Sequence, residues 1–161
     1  MAINPNTTFV AGAVLTAAQQ NRFPRGVMAA ASSSTSFTLA TSVTAIATGM
    51  TVTWTASASR IYKITYFEPS VETSTVSASQ TGIQIRPTSF STTQVAGTVI
   101  TTVAAVKNTS GLTVTYILTA PTAGSLTYVG TAFATSITGA PVLNRSAISP
   151  AQFIVEDIGP A

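Results

Sequence analysis

The 161-residue chain contains neither cysteine nor histidine. Without cysteine no disulfide can staple the fold, and no thiolate is available as nucleophile or metal ligand. Without histidine the commonest general base and the commonest metal ligand are missing as well. Acids are scarce: Glu68, Glu72, Glu156 and Asp157 are the whole set. Charged residues make up 7% of the chain, against about 25% in an average soluble domain. No apolar run approaches the roughly 18 residues that a membrane-crossing helix requires. The opening Met1-Ala2-Ile3-Asn4-Pro5 lacks the basic residues and apolar run of a secretion signal. The expectation is a non-enzymatic protein with no catalytic residues, no cofactor, no metal site and no membrane insertion.

The few charges narrow the reading further. The formal net charge is +3, yet Arg22, Arg25, Arg60, Lys63, Arg86, Lys107 and Arg145 are scattered along the chain. A nucleic-acid footprint needs clustered cations with stacking aromatics, so nucleic acid is not expected as a partner. A glycosidase would need two carboxylates facing each other across a cleft, for which Glu68 with Glu156 is the candidate pair. The preferred reading takes the acids as surface charges that keep edge strands soluble. Glu156 and Asp157, adjacent in an extended segment, point to opposite faces, which leaves one of them to meet an arginine. Gly124 to Gly130 has the glycines of a phosphate loop but no following Lys-Ser/Thr and no helix.

What the chain does have is alternation. Thr51 to Thr55 puts Val52 and Trp54 on one face and three threonines on the other, the pattern of a half-buried strand. Ile61 to Phe67 carries β-branched and aromatic residues on both faces, as a central strand does. The intervening Ala56 to Arg60 reads as a turn that makes the two a hairpin. Strands are also expected at Gly82 to Arg86, Gly97 to Val103, Leu112 to Leu118, Ser125 to Gly130 and Gln152 to Ile158, with a short one at Phe37 to Leu39. Asn108 to Gly111 reads as a second hairpin loop. The Ser/Thr tracts Ser32 to Ser36 and Thr73 to Ser77 read as loops or edge-strand surface. Trp54, Tyr62, Tyr66, Tyr116 and Tyr128 sit at strand positions that favour core packing over a sugar-binding platform. About eight strands at this spacing predict an all-β fold, a jelly-roll-like β-sandwich.

Residues 1–26 differ from the rest. Val14 to Asn21 is the only helix-like stretch, with Thr16 and Gln19 at capping-box spacing and Phe23-Pro24-Arg25-Gly26 ending it. A helix of one or two turns is not stable alone in water, so this arm must lie against something. The expected division is an N-terminal anchoring arm, 1–26, and a β-sandwich domain, 27–161. Phe9, Val14, Leu15, Phe23 and Arg25 are the residues expected to make the anchoring contacts.

The segment Asn4 to Asn21, with its Ala11-Gly12-Ala13-Val14-Leu15-Thr16-Ala17-Ala18-Gln19-Gln20-Asn21, resembles the N-terminal segment of many tailed-bacteriophage virion proteins, where a similar phrase precedes a β domain. Phe23 to Val27, Arg60 to Ile64 and Pro150 to Pro160 are similar to the same group, common in phages of actinobacteria. The resemblance implies a virion structural protein without catalytic residues. Its arm docks on the assembly and its β-sandwich faces outward, often as a trimer. It implies a homotrimeric head decoration or short head-fibre protein on the virion surface, made in the host cytoplasm, with major capsid or tail proteins as partners. The alternative it implies is a minor tail protein or receptor-binding tip that contacts a host surface receptor.

Overall fold

The computed structural model describes residues 14, 16–39, 43–135 and 138–161. After a single helical turn, α1 (Ala17–Gln20), the chain runs through ten strands: β1 (Gly26–Ser33), β2 (Phe37–Thr38), β3 (Val43–Ala56), β4 (Arg60–Glu72), β5 (Gln80–Pro87), β6 (Ala96–Thr101), β7 (Thr109–Thr119), β8 (Gly124–Ala134), β9 (Val142–Leu143) and β10 (Ala151–Pro160). The fold is all-β, a sandwich of two antiparallel sheets.

The pairings resolve into eight lanes. Val71 of β4 faces Ser110 of β7 on one side and Leu143 of β9 on the other, so β9 shares a lane with β10. The short β2 pairs β9 and thereby continues the lane of β1. One sheet is then (β1/β2), (β10/β9), β4, β7, and the other is β3, β8, β5, β6. In chain order the first lane pairs the eighth, the second the seventh, the third the sixth and the fourth the fifth. These four ladders are nested like the two arms of one long hairpin. Two further ladders, β10 with β4 and β5 with β8, knit the rolled hairpin into sheets.

The alternation seen in the sequence selects the faces. In β3, Met50, Val52, Trp54 and Ala56 are buried while Thr51, Thr53 and Thr55 face solvent. Tyr62, Ile64 and Tyr66 of β4 and Phe153 and Val155 of β10 meet them from the other sheet. Aromatic rings hold the centre. Trp54 lies 5.6 Å from both Tyr62 and Tyr128, centroid to centroid, and Tyr66 lies 5.3 Å from Phe153. Such tilted pairs contribute about 0.5–1.5 kcal/mol each beyond their buried area.

Three sequence readings are corrected. Ala56 to Arg60 does not close a hairpin: β3 and β4 lie in different sheets, and the chain crosses between layers there. Asn108 to Gly111 likewise follows β6 in one sheet and leads into β7 in the other. In both cases a short connection was consistent with pairing, but the best partner for each strand lies far away in sequence. Of the Ser/Thr tracts, Ser32 and Ser33 lie on the edge strand β1 as expected, whereas the loop from Thr73 departs from a surface position, Thr73 and Ser74 being fully buried. Their hydroxyls find partners inside: Ser74 and Ser79 share a 2.6 Å hydrogen bond, Ser79 and Thr102 one of 2.9 Å, and Thr102 Oγ1 donates to the Ser74 carbonyl at 2.9 Å. Buried hydroxyls are tolerated when they are paired in this way.

Gly130 of β8 faces the core, where an added Cβ would stand 2.9 Å from the Tyr66 ring and 3.1 Å from Met50 Cβ. Gly130→Ala is expected to destabilise the fold by about 1–3 kcal/mol through overpacking, read as a lower denaturation midpoint at unchanged m-value.

Candidate functional site

The arm meets the sandwich at the end where β3 finishes and β4 begins. Thr16 caps α1 by accepting from the Gln19 backbone N–H at 3.2 Å, and the Gln19 side chain accepts from the Thr16 N–H at 2.9 Å. This capping box fixes the single turn, and the chain leaves it through Asn21 toward Pro24.

Arg60, first residue of β4, lies at the junction. Its Nε donates to Asp157 Oδ2 at 2.8 Å and its Nη2 to Oδ1 at 2.5 Å, a two-pronged pair that links β4 to β10. The guanidinium is then shared with the arm: Nη2 also donates to the Phe23 carbonyl at 2.7 Å, and Nη1 to the Asn21 carbonyl. The side chains of Arg60 and Asp157 are 5% and 0% exposed. A buried charge is stable only if it is paired and its remaining donors are satisfied, and the arm's carbonyls complete that requirement. Arg25 adds a 3.1 Å bond to Ser57 Oγ in the β3–β4 connection.

Of the residues expected to anchor, Phe9 and Leu15 lie outside the described residues. Val14 is 91% exposed and Phe23 39%. Phe23 and Arg25 are brought together at the sandwich end, Phe23 through its carbonyl and Arg25 through its side chain. That one of Glu156 and Asp157 meets an arginine was expected from the sequence, and the structure shows it to be Asp157 with Arg60; that this pair also fastens the segment was not. The available signal was that Asp157 sits on the face of β10 occupied by Phe153 and Val155, a place an acid takes only with a cation.

The reading of the acids as surface charges on edge strands is therefore corrected: all four lie on β4 and β10, both interior strands of their sheet, and Asp157 and Glu68 are buried there. Glu68 is gripped by Arg145, with Nε to Oε2 at 2.9 Å and Nη2 to Oε1 at 2.5 Å. Arg145 Nη1 also donates to the carbonyls of Thr48 at 3.2 Å and Thr35 at 3.3 Å. Glu68 faces the core and Glu156 the outer side of the same sheet, so the structure does not bring these two carboxylates together. Glu156 pairs Lys63 at 3.0 Å and Glu72 pairs Lys107.

Tyr66 donates to Glu68 Oε1 and lies 2.9 Å from Thr48 Oγ1. Burial pushes its phenol well above the ordinary value of 10.0, and the neighbouring Glu68 carboxylate adds to this, while Thr48 and Arg145 oppose it. At Arg145 burial works against the charge, but the hydrogen bonds and charge of Glu68 outweigh it and the net direction is upward.

The far end of the sandwich is built from connections. Thr73 N–H donates to the Asn108 carbonyl and Thr75 N–H to the Thr138 carbonyl, each at 2.9 Å, and Ala78 N–H to the Thr102 carbonyl at 3.0 Å. Four alanines here adopt left-handed backbone: Ala78 (φ 61°), Ala104 (52°), Ala105 (56°) and Ala140 (37°). Ala104 and Ala105 form a two-residue turn between Val103 and Val106, which are 64% and 63% exposed. Such turns ordinarily take Asn-Gly, because a Cβ is strained at positive φ.

Two outcomes follow. Asp157→Asn leaves Arg60 buried beside a neutral group and is expected to cost about 3–5 kcal/mol, with faster tryptic cleavage after Arg22 and Arg25 as the arm loosens. The Tyr66 phenol keeps its proton in the folded state while an unfolded tyrosine loses it, so folding stability is full below pH 10 and falls as pH rises above about 10. Alkaline titration followed by phenolate absorbance is expected to show the Tyr66 phenol ionising only with unfolding, a contribution that Tyr66→Phe removes.

No family model and no curated protein matches the chain. Among solved structures it is similar to one of the infectious bursal disease virus Gx strain, at 17% identity and a TM-score of 0.27, covering 86% of this chain and 41% of that one. It is also similar to one of the Gt strain, at 12% identity and a TM-score of 0.25, covering 98% and 47%. The chain thus spans less than half the length of these virus chains.

Proposed function

We propose that the chain is a non-enzymatic structural protein of a tailed-phage virion: a surface-exposed, trimeric head decoration or short head-fibre protein attached through its N-terminal arm. One observation carries this reading. The arm is fastened by the buried Arg60–Asp157 pair at one end of the sandwich, and the connections with outward-facing Val103 and Val106 stand at the other. A molecule so divided attaches with one end and presents the other. The resemblance of Asn4 to Asn21 to phage virion arms supports the assignment of the attaching end.

The nested lane order supports reading the sandwich as a jelly roll, an architecture used by viral capsid domains. The trimer is supported by the outer face of the β1–β10–β4–β7 sheet. Val27 and Ile117 are 61% and 47% exposed there, and the charges on it are paired, Lys63 with Glu156 and Glu72 with Lys107. Exposed apolar side chains on a face with so little free charge suit coverage by a neighbour.

A second reading has its own observation. Strain in a turn persists where the surrounding structure holds it for a purpose, and the left-handed Ala104 and Ala105 hold two valines outward. That favours a receptor-contacting tip at the far end, on a minor tail protein or on the head.

The expected results separate these roles. Full chain added to particles that lack it is expected to co-sediment, and a chain beginning at Val27 is expected to fold but remain in the supernatant. Attachment of the truncated chain would end the anchoring claim. Sedimentation equilibrium is expected to return three times the chain mass. Val103→Glu with Val106→Glu is expected to leave attachment unchanged and to abolish adsorption of particles to host envelopes if the tip contacts the receptor. Unchanged adsorption eliminates the tip.

A further inference from the structure

Every acidic side chain of the protein is already committed to an internal partner: Asp157 to Arg60, Glu68 to Arg145, Glu156 to Lys63 and Glu72 to Lys107. Three cations, Arg22, Arg25 and Arg86, have no acid, and they account for the whole net charge of +3. Arg86 is 8% exposed and spends its donors on Gln84 Oε1 and the Thr92 carbonyl. Arg22 and Arg25 are exposed. They flank the segment whose carbonyls Arg60 holds, so the buried clamp fixes the backbone that displays them. No acid occurs anywhere before Glu68 in the sequence.

We infer that Arg22 and Arg25 form a docking patch for a carboxylate-bearing protein surface, so that the partner gripping the arm end is acidic at the point of contact. This rests on the reading of the arm end as the attaching end and names the chemistry of what it attaches to. The acidic side chains of a second copy do not supply that surface, since each of them already has a cation. Both partly exposed ion pairs use lysine, whereas both exposed cations without a carboxylate are arginine, Arg25 keeping one donor on Ser57 Oγ. Arginine presents a planar fork that matches a carboxylate with two parallel hydrogen bonds, the geometry of a fixed protein contact. Two cations are too few to hold an anionic membrane, which takes clusters of about four to eight. They are also too few for appreciable sequence-independent affinity to duplex DNA, which grows with the number of phosphates neutralised.

The test uses the full chain and particles that lack it, with attachment measured over a range of salt concentrations. Wild type is expected to attach, more weakly as salt rises, and Arg22→Glu with Arg25→Glu to weaken attachment by about 100-fold, in line with the loss of two charge-assisted contacts. Both positions are exposed, and an unchanged circular dichroism spectrum and denaturation midpoint verify the fold. Phenylglyoxal, which modifies arginine, is expected to label Arg22 and Arg25 in the free chain and to spare them on the particle. If the double variant attaches as well as wild type, the patch is refuted while the attachment reading stands. If wild type itself does not attach, both fail. Binding of wild type to phosphatidylserine vesicles or duplex DNA, at particle-like affinity and lost in the double variant, would overturn the carboxylate partner in favour of phosphate.

Discussion

The guanidinium group shared between a carboxylate and main-chain carbonyls is the interaction on which the arrangement of the irregular segments depends. It occurs in two closely similar forms. Arg60 joins Asp157 to the carbonyls of Asn21 and Phe23, and Arg145 joins Glu68 to those of Thr35 and Thr48. Arg86 does the same with a side-chain amide in place of the acid, reaching the Thr92 carbonyl. A strand satisfies its backbone through its neighbours; an arm or a loop has no ladder, and its buried carbonyls need donors from elsewhere. Arginine, with five donors in a fixed plane, can serve a carboxylate and two carbonyls at once. Lysine cannot offer that planar geometry.

Such pairs are weak evidence for stability, because desolvating two charges offsets most of their attraction. What they contribute here is position. A hydrophobic residue in place of Arg60 could fill the same volume, but it would give the arm no preferred path across the sandwich end. Stability rests instead on the aromatic and β-branched layer between the sheets, in which Trp54, Tyr62, Tyr66, Tyr128 and Phe153 fill the centre. Specificity and stability are thus assigned to different residues, a separation that the low charge content permits because few charges compete for each other's partners.

The β character and the inward faces were legible because period-two alternation is a local property: Val52 and Trp54 among threonines can be read without knowing what they meet. Sheet membership was not legible. Ala56 to Arg60 is short enough to close a hairpin, yet β3 pairs β8 and β4 pairs β7 and β10, choices decided by surfaces distant in sequence. The buried acids were missed for a related reason. Glu68 and Asp157 look like surface charges until their arginines, 77 and 97 residues away, are seen beside them. The buried Ser/Thr cluster around Ser74 and Thr102 misled in the same way, since a hydroxyl reads as solvent-facing unless its partner is known. The Phe23 to Gly26 stop signal falls between α1 and β1, while the fastening of that segment depended on β4 and β10.

The nested ladders carry a consequence for the order of assembly. Loop closure costs less entropy for short loops than for long ones, so the innermost ladder, β5 with β6, closes most readily, and each outer ladder builds on the one inside it. The outermost joins β1 to β10, segments from opposite ends of the chain. Asp157 enters the fold only with β10, and Arg60 has no carboxylate until it does. The fixed path of the arm therefore depends on the outermost ladder being closed, since the clamp on the Asn21 and Phe23 carbonyls needs Asp157 beside Arg60. If the arm end is the attaching end, as proposed, the backbone that a partner would grip is fixed only in a chain whose two terminal strands have already paired.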